Sequence, residues 1–410
     1  MNLNKYSREK IGLLIRLVRM EQGLERQQLC QAINMTSSRL FQIETGQSVL
    51  NEYEINLIFN ELLLDINKLG NNDKYIDNFF EEYIDNYIFG LKKNNMKLFQ
   101  DAIQSETEFE CSIIYYKWIL IKFFNGVITN QNDEEFKKIL SLVTKFQKNL
   151  NSEEKQICAV FFSLLDNRQC KFESAIERLN IALNFHNNKI LGMIYYHLFI
   201  NYSQVNNSEL AYTYLVKALD QFKLNNNFIR ITECISHFGI YACRNRSYKL
   251  AESYFNEAIK LAKILNNKTI IGVNYTNLSW CKICEKEYEK VQQLTTQAKI
   301  YIEDNNLFFN EAYAYYKLKK DNSLIKELIQ IGKNRVEKKN ILYDEFTYLE
   351  FALDNNMEDT VDYLCSLLKK IVKKASRDDY FLLLNELLDM YEALNNSDKI
   401  IEVQKYLMKL

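Results

Sequence analysis

The chain has 410 residues, 52 Lys and Arg against 53 Asp and Glu, a net charge of −1, and 47% apolar residues. That apolar share excludes a disordered chain, and the near-neutral balance excludes a globally basic nucleic-acid binder. With no proline and ten glycines, turn-formers are too scarce for sheets and hairpins, so the chain reads as all-α, its helices joined by short, asparagine-rich turns.

Along the chain, Ile11, Leu14, Ile15 and Val18 fall at helical spacing and predict a first helix that stops at Gly23. A short helix is expected over about 27–33, then a break at Asn34-Met35. Thr36 suits the N-cap of a helix over 37–44 that ends at Gly46. Asn51 caps a further helix with Ile55, Ile58, Phe59 and Leu62 on its inner face. Residues 1–70 thus read as a compact module of five short helices. Its first 46 residues are locally basic, with Lys5, Arg8, Lys10, Arg16, Arg19, Arg26 and Arg39 against Glu9, Glu21, Glu25 and Glu44.

From about residue 71 to 410, longer helices alternate with polar breaks, among them Asn94-Asn95, Asn206-Asn207 and Asn305-Asn306. Breaks this short make successive helices antiparallel. Between about 155 and 305 the pattern repeats every forty residues. Tyr195-x-His197-Leu198 returns as Ile235-x-His237-Phe238 and as Tyr275-x-Asn277-Leu278. Ala211, Leu215 and Ala218 return as Ala251, Phe255 and Ala258, then as Val291, Thr295 and Ala298, while Asn226, Asn266 and Asn306 close successive units. A fixed period of this length indicates a solenoid of helical hairpins, each burying its apolar face on its neighbours.

The signs of catalysis and metal binding are weak. There are three histidines, and Cys281-x-x-Cys284 is a lone pair within a helix, without a second pair at zinc spacing. Phosphate-binding glycine loops, G-x-S-x-G and H-E-x-x-H are lacking, so neither an enzyme nor a cofactor is expected. The nine cysteines lie on helical patterns, the first residues MNLNKYSREK lack an apolar signal core, and no run nears the ~18 apolar residues of a membrane span. The expected setting is the cytoplasm, with the cysteines as small core residues.

The segment 23–46 resembles the Xre/Cro-type helix-turn-helix. The match comprises Gly23 before the second helix, the core pairs Leu29/Ile33 and Leu40/Ile43, and the Glu44-x-Gly46 close. Cys30 stands where that family has alanine, and Val49-Leu50 where proline is common. In such modules the second helix of the motif enters the major groove of DNA. The resemblance therefore assigns base or phosphate contacts to Arg26, Gln27, Ser37, Ser38, Arg39 and Gln42, and an internal ion pair to Arg19 and Glu44.

The hairpins resemble a stretched tetratricopeptide (TPR) repeat. Behind an Xre-like module, they resemble the peptide-sensing RRNPP regulators of the Rgg, NprR, PlcR and PrgX kind. The implied fold is a helix-turn-helix domain over 1–70 followed by a right-handed α-solenoid over 71–410. The first helix of each hairpin would line the concave face, which places His197, Asn201, Gln204, His237, Tyr241, Arg244, Asn274, Asn277 and Trp280 in reach of a short linear peptide. The implied function is transcription control by a homodimer on a palindromic operator in double-stranded DNA, switched by a signalling peptide. The other reading is an adaptor whose repeats sequester a response regulator or another protein.

Overall fold

The computed structural model describes residues 7–185, 188–371 and 377–407. They are helical, in two compact units, 1–221 and 222–410. The first unit opens with α1 (Arg8–Glu21), α2 (Arg26–Ala32), α3 (Ser37–Glu44) and α4 (Glu52–Glu61), followed by a 3₁₀ turn at Ile66–Lys68. It continues with α5 (Asp73–Ile88), α6 (Lys92–Ile103), α7 (Glu106–Phe109), α8 (Tyr115–Thr129), α9 (Glu134–Phe146), α10 (Ser152–Arg168), α11 (Phe172–Ala182) and α12 (Leu191–Gln204). The unit boundary falls within α13 (Ser208–Leu224). The second unit holds α14 (Phe228–Arg244), α15 (Tyr248–Ile264), α16 (Lys268–Cys284), α17 (Val291–Lys299), α18 (Asn305–Lys317) and α19 (Asn322–Arg335). Its remaining helices are α20 (Ile341–Asp354), α21 (Met357–Ile371), α22 (Arg377–Ala393) and α23 (Ser397–Leu407).

In the N-terminal module α3 packs on α1 and α2, and α2 on α4. A Cβ on Gly12 would lie 2.2 Å from the Ile43 carbonyl oxygen, so α1 and α3 meet at a distance that only glycine allows. Thr36 caps α3 by accepting from Arg39 N, and Asn51 forms a capping box with Glu54 at the start of α4. The module is tied to the hairpins of its own unit by a charged cluster. Lys122 on α8 donates to Glu21 at 2.9 Å and to Glu106 at 2.6 Å, while Tyr115 donates to Glu21 and Trp118 to Glu106. Burial acts to lower the Lys122 pKa, but the two carboxylates outweigh it and raise it.

The forty-residue period is visible in the backbone. Asn206, Arg246 and Lys286 end successive first helices at φ 58°, 59° and 62°, and Asn226 and Asn266 end successive second helices at φ 52° and 51°. Each is a left-handed residue just past its helix's C-cap. Ser247 N bonds Ala242 O and Arg246 N bonds Cys243 O, for instance, so the last carbonyls of α14 are satisfied. Asparagine tolerates this conformation best among residues with a side chain, which is why asparagines punctuate the sequence. Asn306 departs from the series because it lies inside α18, capped by Asp304. Asn94-Asn95 is no break either. Both lie within α6, where Asn95 is buried and donates to the Tyr83 carbonyl at 3.0 Å. The turn comes earlier, at Gly90 with φ 76°.

The repeat positions Ala211, Leu215, Ala218, Ala251, Phe255, Ala258, Val291, Thr295 and Ala298 are all buried. A Cβ on Gly239 would fall 2.6 Å from the Phe255 ring, so α14 and α15 meet there at a distance that a side chain would obstruct. In the second unit, first helices touch first helices, α14 on α16, α16 on α18 and α18 on α20. Successive second helices do not meet as closely. The layer in which neighbours crowd is the inner side of a curved stack, so α14, α16 and α18 line the concave side of this unit.

Candidate functional sites

The first candidate surface is the outer edge of α2 and α3. Ser37, Ser38 and Gln42 on α3 and Gln27 on α2 are exposed, and their side chains are turned away from the Leu40/Ile43 core. The two arginines beside them are partly engaged within the module. Arg26 donates to Glu44 Oε2 from Nε and Nη2 at 3.2 and 3.1 Å, and its guanidinium lies 5.1 Å from the centre of the Phe41 ring. Arg39 donates to both Glu54 oxygens at 2.7 Å, to the Val49 carbonyl at 2.8 Å and to Ser48. These bonds hold the Glu54 carboxyl below the usual carboxylate range. Arg39 therefore braces the Ser48–Leu50 loop, where the sequence lacks a proline.

Glu44 is the hub of the module. Its carboxylate is fully buried and accepts from Arg19 Nε at 2.6 Å, while Arg19 also donates to the Leu24 carbonyl at 2.6 Å. Three elements are thereby locked together: α1, the turn after it, and the end of α3. Beside this hub runs a cleft of about 810 Å³ that no motif announces. Arg16, Arg26, Lys138 and Lys145 line it together with Glu25 and Glu135. Its basic residues come from α1, α2, α8 and α9, so no single stretch of sequence could have revealed them.

The peptide candidates lie in both units and are engaged differently. In the first unit, His197 is buried and its Nε2 pairs with the Tyr87 hydroxyl at 2.8 Å. Asn201 is buried too. It donates to the His197 carbonyl at 2.8 Å and accepts from Asn167 at 3.1 Å, so it bridges α10 and α12. Gln204 is exposed at the end of α12.

In the second unit, His237, Tyr241 and Arg244 on α14 and Trp280 on α16 are partly exposed. The loss of water around His237, with Arg244 adding and Glu233 opposing, pulls its pKa down to about 4 and keeps it neutral near pH 7. On α16, one turn apart, stand two amides with unmet bonding capacity. Asn274 donates to the Ile270 carbonyl at 2.8 Å. Among the described residues, however, its buried Oδ1 has no hydrogen-bond partner, and the buried Nδ2 of Asn277 has none either. Each such group costs about 1–3 kcal/mol. Together they offer one acceptor and one donor, the complement of a peptide unit's N–H and C=O.

No family profile matches the chain, and no curated protein matches it. Solved structures do match in fold. The apo form of the quorum sensor NprR from B. thuringiensis aligns over 82% of this chain and 99% of its own, at 14% identity and a TM-score of 0.57. NprR in complex with its cognate peptide NprX aligns over 82% of this chain and 98% of its own, at 14% identity and a TM-score of 0.58. A Rap protein complexed with Competence and Sporulation Factor aligns over 82% and 97%, at 14% identity and a TM-score of 0.64. The fold is thus shared with NprR and the Rap protein, all-α and built of TPR-like helical hairpins.

Proposed function

We propose that this chain is a DNA-binding transcriptional regulator controlled by a short linear peptide. The DNA half of the reading rests on the exposed Ser37-Ser38 and Gln42 edge of α3, set in helix-turn-helix geometry and capped at Thr36. Side chains at the start of such a helix read base edges, and Gln27 and Arg26 at the start of α2 meet phosphate. Arg39 acts through the loop it braces.

The observation that carries the peptide half is the orphaned pair Asn274 Oδ1 and Asn277 Nδ2 on the inner layer of the second unit. Both atoms are closed to solvent, so an extended peptide meets them as the inner helices part around it, with Tyr241, Arg244, His237 and Trp280 as side-chain neighbours on α14 and α16. NprR, which shares the fold, has been solved with a cognate peptide. A homodimer presenting two heads to a palindromic operator completes the reading, because a single head contacts too short a site for specificity. Binding of peptide to one arrangement of the repeats more tightly than to another would shift the heads.

A second reading, a protein-sequestering adaptor, is favoured by the Rap likeness and by the internal engagement of Arg26 and Arg39. Titrating the full chain with duplex DNA of random sequence and then with enriched fragments separates the two. A regulator binds the enriched fragments at least 10³-fold more tightly than random DNA, whereas an adaptor binds neither.

A further inference from the structure

Most of the charges that line the cleft of about 810 Å³ beside Glu44 are neutralised within the first unit. Arg19 is bonded to Glu44, Lys122 to Glu21 and Glu106, and Lys137 to Glu134. Glu25 is taken up in a capping box with Gln28 at the start of α2. Arg16, Lys138 and Lys145 differ. Among the described residues, none of the three has an ion pair or a hydrogen-bonded side-chain partner. Against them stands Glu135, the one lining carboxylate without such a partner among the described residues. The cleft therefore holds uncompensated positive charge, which an anion neutralises.

The placing of these cations selects the kind of anion. Lys138 and Lys145 are exposed on α9 and lie two helical turns apart on one face, about 10 Å by helix rise. One small anion does not span that separation. A nucleic-acid strand does, since about three base pairs of rise cover it and each carries a phosphate. Arg16, half-buried on α1, lines the same space. So do Leu24, Glu25 and Arg26, the turn into α2, and the first helix of a helix-turn-helix crosses the DNA backbone.

We propose that this cleft seats the phosphodiester backbone of the duplex flanking the site read by α3, with Arg16, Lys138 and Lys145 as its phosphate contacts. The inference rests on the DNA-binding reading and extends the DNA surface to α9, outside the helix-turn-helix. Phosphate contacts carry no sequence information. The cleft thus adds affinity and fixes the orientation of the head on the duplex, while the choice of sequence stays with Ser37, Ser38 and Gln42.

The test is binding of the full chain to two duplexes, one of random sequence and one carrying the enriched site, by fluorescence anisotropy between about 50 and 200 mM salt. Each phosphate contact contributes about 0.9 to the slope of log affinity against log salt. Lys138→Gln with Lys145→Gln should therefore lower the slope by about 2 on both duplexes, weaken both by the same factor and leave their affinity ratio unchanged. Both side chains are exposed, so the thermal midpoint should hold. As a control, Lys320→Gln with Lys338→Gln removes the same charge from exposed positions of the second unit and should leave the slope as it is. A cleft variant that matches wild type in slope and affinity overturns the proposal and leaves the DNA reading standing. A control that loses as much slope as the cleft variant, or a loss confined to the enriched duplex, overturns it as well. A wild-type chain that binds neither duplex overturns the DNA reading and this inference with it.

Discussion

Replacing Glu44 by Gln should destabilise the N-terminal module by about 3 kcal/mol. The carboxylate side chain has 0% exposure and Arg19 only 6%, so removing the charge leaves a buried guanidinium with the Leu24 carbonyl and a neutral amide as its acceptors. Breaking a buried pair from one side costs about 3–5 kcal/mol, and an amide that still accepts one bond brings this to the low end. Arg26 adds little. Its side chain is 34% exposed and water takes over as its partner, so its share is about 0–1 kcal/mol. The assay is native-state hydrogen exchange on amides of α1 and α3, which isolates the module from the rest of the chain. The double variant Arg19→Met, Glu44→Leu should recover most of the stability, since the stranded charge goes with its partner. A single variant within 0.5 kcal/mol of wild type, or a double variant less stable than the single, would refute the reasoning.

Other perturbations test the remaining joints. The His237 pKa lies at about 4 in the folded chain against 6.5 in the unfolded one, so between these values the unfolded state binds the extra proton and stability rises with pH. Burial of neutral His237 is thus fully tolerated above pH 6.5 and costs about 2–3 kcal/mol by pH 4. His237→Asn should remove that component from denaturant midpoints measured across the window. Lys122→Met strands Glu21 and Glu106 and should loosen α1 by about 2 kcal/mol, read as faster amide exchange in α1. Faster exchange confined to α8 would show that the cluster does not anchor the module. Asn277→Ala removes an unpaired donor, so the thermal midpoint should hold or rise, while affinity for a bound peptide falls by about 1–3 kcal/mol in calorimetry.

The parts legible in the sequence are those written locally. The helix-turn-helix core pairs and the forty-residue echo depend on spacing along single helices, and the left-handed caps at Asn206, Asn226 and Asn266 carry their own signature. Asn94-Asn95 misleads because a buried asparagine that bonds a carbonyl on the neighbouring helix has the same composition as a turn. Arg39 lies beside Ser37 and Ser38 at the start of α3, yet Glu54, far along the chain, draws its guanidinium inward. His197 and Asn277 share a repeat register, but Tyr87, from outside the repeat window, bonds the histidine, while the Nδ2 of Asn277 finds no partner among the described residues. In each case the rest of the fold, distant in sequence, decides what a locally legible residue does.

The most direct measurement is selection from random duplex DNA by the full chain, alongside the Ser37→Ala, Ser38→Ala, Gln42→Ala variant, each with and without a fraction of short peptides. A peptide-controlled regulator should enrich one palindromic sequence, and adding peptide should change its retention. The triple variant should keep its general affinity for DNA but no longer enrich that sequence, because each direct readout of a base is worth about 1–3 kcal/mol. Wild-type and variant chains that retain the same unselected DNA, or none, in both conditions would contradict the assignment.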